Sequence, residues 1–151
     1  MNWSSIPSTE LNIHATLACG QAFRWDNLPA GDWIGVIDRS LVRIIPKDNG
    51  FYWQTYPTSY QWDLIYQYFS LSVNLEEVYA SWPREIPAVS SSIANNRGLR
   101  ILRQNPEETL FSFLCATNNS ILKIRRSVRL LAQRTGSPIA EWNGTEYNSF
   151  P

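Results

Sequence analysis

Metal ligands and disulfide partners are scarce in this chain. Histidine occurs once, at His14, and cysteine twice, at Cys19 and Cys115, among 151 residues. So small a set cannot supply the clustered His/Cys ligands of a zinc site, and neither a metal nor a cofactor is expected. Two cysteines do not make the multi-bridge framework of a small secreted domain. No stretch reads as a secretory signal or as the apolar run of about 20 residues that spans a membrane. These absences point to an intracellular protein with reduced thiols and no membrane partner.

What is present describes an ordinary globular chain. Apolar residues make up 44% and charged residues 17%, which excludes a disordered tail or a coiled coil. The length suits one domain, or one domain and part of another. Seven Trp and seven Tyr are many for this length. Most such rings belong in a core, and the remainder can stack on bases or sugars. The zero net charge hides a division. Residues 1–96 hold nine acids and five bases, whereas residues 97–140 hold eight bases and two acids. The eight are Arg97, Arg100, Arg103, Lys123, Arg125, Arg126, Arg129 and Arg134. Such asymmetry suits contact with a polyanion, although a solvated helix face produces the same pattern.

The first half reads as antiparallel sheet. Segments 22–25, 33–37, 41–45 and 51–56 are rich in β-branched and aromatic residues, with turn residues at 27–32, 38–40 and 46–50. Helices are predicted at 60–69, at 75–82 behind the cap Asn74, and at 87–96. A domain boundary is expected near Gly98–Asn105. The next helix has clear start signals: Asn105 as cap, Pro106 in the first position and Glu108 three residues beyond the cap. Leu110, Phe113, Leu114 and Thr117 share one face of it. A second helix, about Ile121–Arg134, carries the stripe Ile121, Ile124, Val128 and Leu131. Beyond Gly136 the chain reads as a loop.

Two stretches can carry chemistry. In Cys19-Gly20-Gln21-Ala22-Phe23-Arg24-Trp25, a glycine before a strand is usually a turn residue, but it also lets a backbone carbonyl approach a ligand closely. Arg24, between aromatics, reads more readily as a packed or sheet-edge cation than as a site residue. In Thr117-Asn118-Asn119-Ser120, Asn119 or Ser120 suits a helix cap. Asn118 carries donors and an acceptor, so it can pair with a base edge. The cations of the following helix are either solvated or hold phosphates, which position a protein without reading sequence.

Together, GQAFRW and, about eighty residues later, GLRILRQNPEETLFSFLCATNNSILKI closely resemble the eukaryotic-type 8-oxoguanine DNA glycosylase/AP lyases of the helix–hairpin–helix superfamily. The resemblance covers essentially the whole chain. It implies an α+β fold: a TATA-binding-protein-like antiparallel sheet with helices over residues 1–100, then the first helices of a truncated all-α glycosylase domain over 101–151. It implies base-excision repair of oxidised guanine opposite cytosine, by a monomer acting on double-stranded DNA, in the nucleus if the source is eukaryotic and in the cytoplasm or nucleoid if it is bacterial. Gly20 matches the glycine whose carbonyl inspects the lesion, attracting the hydrogen that 8-oxoguanine carries at N7 and repelling the bare N7 of guanine. One such contact supplies on the order of 1–3 kcal/mol of discrimination. Asn118 matches the asparagine that fills the space left by the flipped base and bonds the orphaned cytosine. Asn119 and Ile121 match positions near the lesion pocket.

The sequence also departs from the family pattern. Lys123 stands where an arginine is expected to donate to the opposite cytosine, and lysine lacks the planar guanidinium fork. Ser120 replaces a third asparagine. The catalytic lysine and aspartate lie near a phosphate-binding hairpin, and the resemblance places all of these beyond residue 151. The only lysines, Lys47 and Lys123, lie outside that motif, so no residue here is assigned a catalytic role. Two alternatives stay open: a noncatalytic DNA-binding fragment, and a related alkylated-base glycosylase, against which the combination of Gly20 with Asn118-Asn119 argues.

Overall fold

The computed structural model describes residues 1–151. Five strands form one antiparallel sheet: β1 (Asn2–Ser4), β2 (Trp25–Asn27), β3 (Trp33–Ile37), β4 (Ser40–Lys47) and β5 (Gly50–Tyr56). Their order across the sheet is β1-β5-β4-β3-β2. The turns fall where the sequence punctuates it, and short links make the β2–β3, β3–β4 and β4–β5 pairs antiparallel, with Ile37 opposite Ser40 and Lys47 opposite Gly50. The short strand β1, which the sequence pattern does not predict, pairs antiparallel with β5 across more than forty residues, Trp3 opposite Tyr52. The α+β class expected from the sequence is what the chain adopts.

Alternation of side chains along β3 and β4 explains why both faces of the sheet are buried. Trp33, Val42 and Ile44 point to one side and join Leu17, Trp25, Phe51, Ile65 and Phe69 in the main core. Helices α1 (Ile13–Ala18) and α2 (Trp62–Tyr68) contribute to that core. Ile34, Val36 and Leu41 point the other way and pack against Tyr147, with Ile139, Ala140 and Trp142 beside them. Trp25 lies so close over β3 that a Cβ at Gly35 would meet its ring at 2.4 Å, so no larger residue fits there.

The residues that cover the second face correct the expectation of a loop after Gly136. They form a hairpin, β6 (Pro138–Trp142) and β7 (Thr145–Asn148), paired antiparallel. Its turn is Asn143-Gly144, both at positive φ (48° and 74°). Asn-Gly is the dipeptide that the two-residue hairpin turn favours, so the signal was present in the sequence. A second correction concerns residues 22–25. The strand begins only at Trp25, because the chain before it is bonded elsewhere, as described below.

Helices α3 (Leu75–Ser81) and α4 (Pro87–Asn95) follow the sheet. Then come α5 (Pro106–Ala116) and α6 (Ile121–Thr135). Asn74 and Asn105 cap α3 and α5 as expected, each accepting from two backbone amides. On α6 the buried stripe is Ile124, Val128 and Ala132, which replaces the expected Leu131 and leaves Ile121 exposed. The apolar face of α5 is open: Phe113 is 71% and Leu114 57% exposed.

Candidate nucleic-acid interface

Gly20 follows α1 in a loop at φ +88°, a conformation that a side chain strains. A Cβ built on it would meet only Ile121 Cδ1, at 4.0 Å. Two of the residues singled out in the sequence are therefore neighbours across 101 positions. The protein itself leaves the space over Gly20 open. Glycine is required here by the backbone, not by crowding from protein atoms.

The loop is held by a residue that the sequence reading passed over. The Gln21 side chain donates to the carbonyls of Thr16 (3.0 Å) and Arg100 (2.8 Å) and accepts from the Leu102 amide (2.9 Å). Its backbone carbonyl accepts from the Gln104 side chain at 2.6 Å. These bonds draw residues 21–24 toward segment 100–104 and away from the sheet. They also fix the peptide next to Gly20. Nothing local in GQAFRW reveals them, since every partner except Thr16 lies about eighty residues away.

Asn118 sits at the junction of α5 and α6. It is exposed and adopts φ +55°, which asparagine tolerates better than most residues. Its neighbours close the two helices. Asn119 donates from its side chain to the Cys115 carbonyl at 2.9 Å, finishing α5. Ser120 caps α6, its hydroxyl accepting from the Lys123 amide at 3.4 Å. Asn118 is thus left with a free amide at a fixed corner. Ile121 and Lys123 are exposed on the first turn of α6.

A buried ion pair ties this helical unit to the sheet. Arg24 donates to Glu108 at 2.9 Å and to the carbonyl of Asn148. Arg24 is therefore a packed cation, as its aromatic setting suggests. Glu108 turns inward to it instead of reaching back to complete a capping box. Burial pushes the Glu108 carboxyl above its ordinary range, and the Arg24 guanidinium offsets this only in part. Nearby, Trp25 Nε1 donates to the Tyr68 hydroxyl at 2.9 Å, and burial drives that hydroxyl's pKa upward.

The cation count of residues 97–140 needs correction as a measure of anion-binding surface. Arg100 is buried and bonds the carbonyls of Glu10, Ser70 and Val73 and the Glu10 carboxylate. Burial lowers its pKa, and Glu10 opposes that shift. Arg97 pairs with Glu76, and Arg129 with Asp26. Lys123 and Arg126, both exposed, make no ion pair and stay available on α6. No three His, Cys, Asp or Glu side chains come together as a metal site, and no helix is long and apolar enough to cross a membrane.

Comparison with known proteins bears on the family and the fold. The family model for the 8-oxoguanine DNA glycosylase N-terminal domain matches residues 5–110. The N-glycosylase/DNA lyase OGG1 of Arabidopsis thaliana is 31% identical over 149 residues, 95% of this chain and 40% of that protein. The N-glycosylase/DNA lyase of Saccharomyces cerevisiae is 37% identical over 86 residues, 56% of this chain and 22% of that protein. Among solved structures, MBOgg1 in complex with a low-affinity DNA ligand superposes with a TM-score of 0.85 at 27% identity, covering all of this chain and 55% of that one. The Clostridium acetobutylicum 8-oxoguanine glycosylase/lyase, bound to double-stranded DNA with cytosine opposite 8-oxoG, gives 0.83 at 26% identity, covering 94% of this chain and 48% of that one. The chain spans about half or less of the length of these relatives. With its fold and with residues 5–110 matched, the chain belongs to the 8-oxoguanine DNA glycosylase family and carries that family's N-terminal domain.

Proposed function

We propose that this chain is the lesion-reading part of an 8-oxoguanine DNA N-glycosylase/AP lyase acting in base-excision repair on duplex DNA, as a monomer. Gly20 presents its carbonyl to the oxidised base, Ile121 forms the neighbouring wall, and Asn119 sets the end of α5 beside them. Asn118 enters the space vacated by the flipped base and bonds the opposite cytosine, with Lys123 donating alongside. Residues 1–100 form the N-terminal domain and α5 and α6 open the all-α glycosylase domain, while the β6–β7 hairpin that follows them returns to the sheet and corrects the all-α reading of the whole of 101–151. The chemistry of base removal and strand cleavage is assigned to residues outside 1–151.

One observation carries this reading. Gly20 and Ile121 are side by side over open space, and the helix junction that begins three residues before Ile121 offers an uncommitted Asn118 amide. A glycosylase that flips a base needs a pocket wall and a plug within reach of each other. The plug's amide also explains a preference for the opposite base, since cytosine presents a donor and acceptors that asparagine can match.

The test is binding to duplexes carrying 8-oxoguanine opposite cytosine or opposite adenine. Wild type should favour cytosine, and Asn118→Ala should lose most of that difference, on the order of 1–3 kcal/mol. An unaltered preference in Asn118→Ala would remove this residue from the interface.

A further inference from the structure

The middle of α6 carries cations that lesion reading does not use. Between the strand β2 and this part of the helix lies an open groove of about 320 Å³, lined by Asp26, Arg125, Arg126, Arg129 and Gln133 among others. Arg129 donates through one nitrogen to both Asp26 carboxylate oxygens, at 2.8 and 2.7 Å. That fixes its guanidinium at the edge of the groove and leaves its other nitrogens without a protein acceptor. Arg125 is half-buried, and its Nε is buried with no hydrogen-bond partner. Arg126 is exposed and makes no ion pair. Three guanidiniums thus meet a single carboxylate, and α6 itself contains no acid to neutralise them.

The chemistry of the lining restricts the ligand. Guanidinium forks match the oxygens of a phosphate and bond it bidentately. No aromatic ring lines the groove, so it has no platform for a stacked base. The groove is also continuous with the helix junction. At about 1.5 Å of rise per residue, Arg126 lies about 4.5 Å and Arg129 about 9 Å along the helix axis from Lys123. A strand that passes Asn118 and Lys123 comes within two or three nucleotides of it, at about 3.4 Å of rise per nucleotide.

We propose that this groove holds a backbone phosphodiester of duplex DNA, as a contact separate from lesion and opposite-base reading and indifferent to sequence. The proposal rests on the reading that the α5–α6 junction meets DNA. Its function is to hold the protein on undamaged duplex while bases are sampled, because phosphate contacts position without specifying.

The experiment measures the affinity of the protein for an undamaged duplex across a salt series, in wild type, Arg125→Gln/Arg126→Gln and Asn118→Ala. A second duplex carries 8-oxoguanine opposite cytosine. Neither Arg125 nor Arg126 is in an ion pair, so the double variant keeps the fold, which circular dichroism verifies. The salt slope of log affinity should fall in magnitude by about 2 in the double variant and stay at the wild-type value in Asn118→Ala. The lesion-to-undamaged affinity ratio should be unchanged in the double variant and reduced in Asn118→Ala. An unchanged slope in the double variant overturns the groove. A wild type that binds duplex without preferring the lesion overturns the lesion-reading assignment instead, and the slope still decides the groove. A wild type that binds no duplex overturns both.

Discussion

At the scale of single residues, the site depends on which side chains are committed and which are not. Gly20, Asn118 and Lys123 are uncommitted. Gln21, Asn119 and Arg100 spend their polar groups on the protein itself. Gln21 is the clearest case, with three side-chain bonds and one at its carbonyl beside the Gly20 loop. Gln21→Ala would leave the Arg100 carbonyl and the Leu102 amide unpaired in a part-buried setting, and would leave the Thr16 carbonyl only the weak Cys19 thiol donor. A loss of about 1–3 kcal/mol is expected from denaturant unfolding, and an unchanged midpoint would mean that Gln21 does not clamp the loop. The same contrast marks what the sequence makes legible. Asn105, Pro106 and Asn74 announce their helices because capping is a local affair of two or three residues. The roles of Gln21 and Arg100 rest on bonds across twenty-seven to ninety positions, apart from Gln21's bond to Thr16, and a local pattern carries no trace of them.

At the scale of elements, the Arg24–Glu108 pair couples α5 to the sheet, and Arg24 also holds the end of β7 through Asn148. Glu108 titrates above its ordinary 4.5 in the folded chain because burial outweighs the pull of Arg24. Between the unfolded and folded values the folded chain therefore binds more protons than the unfolded one. Stability from this group is greatest below the unfolded value and is lost as pH rises through the folded value. Glu108→Gln removes the titration. Unfolding of both proteins from about pH 4 to about pH 8 should give a wild-type-minus-variant stability that falls with pH. A difference that rises with pH would show that Arg24 outweighs burial. The α6 stripe shows how an element can be right and its face displaced. The helix is where its periodicity places it, but β7 approaches from one side and selects Ala132 over Leu131 for burial.

At the scale of the whole molecule, the sheet is covered on both faces, by α1 and α2 on one and by the β6–β7 hairpin on the other. The hairpin was the main feature missed in the sequence. Its strands alternate weakly, and only the Asn143-Gly144 turn distinguishes it from a loop. Its consequence is large, because it returns the chain from α6 to the sheet and so sets α5 and α6 against the Gly20 loop. The consecutive pairing of β2 to β5 and the helices α5 and α6 follow from patterns visible in the sequence, whereas the place of β1 beside β5 and the meeting of Gly20 with Ile121 are products of long-range packing. The central claim is that this meeting builds a reader of oxidised guanine. Competition between a duplex bearing 8-oxoguanine opposite cytosine and the identical duplex with guanine tests it most directly. The protein should hold the lesion duplex about tenfold more tightly, the equivalent of about 1.4 kcal/mol, and within the 1–3 kcal/mol of one buried polar contact. Equal affinity for the two duplexes would contradict the assignment.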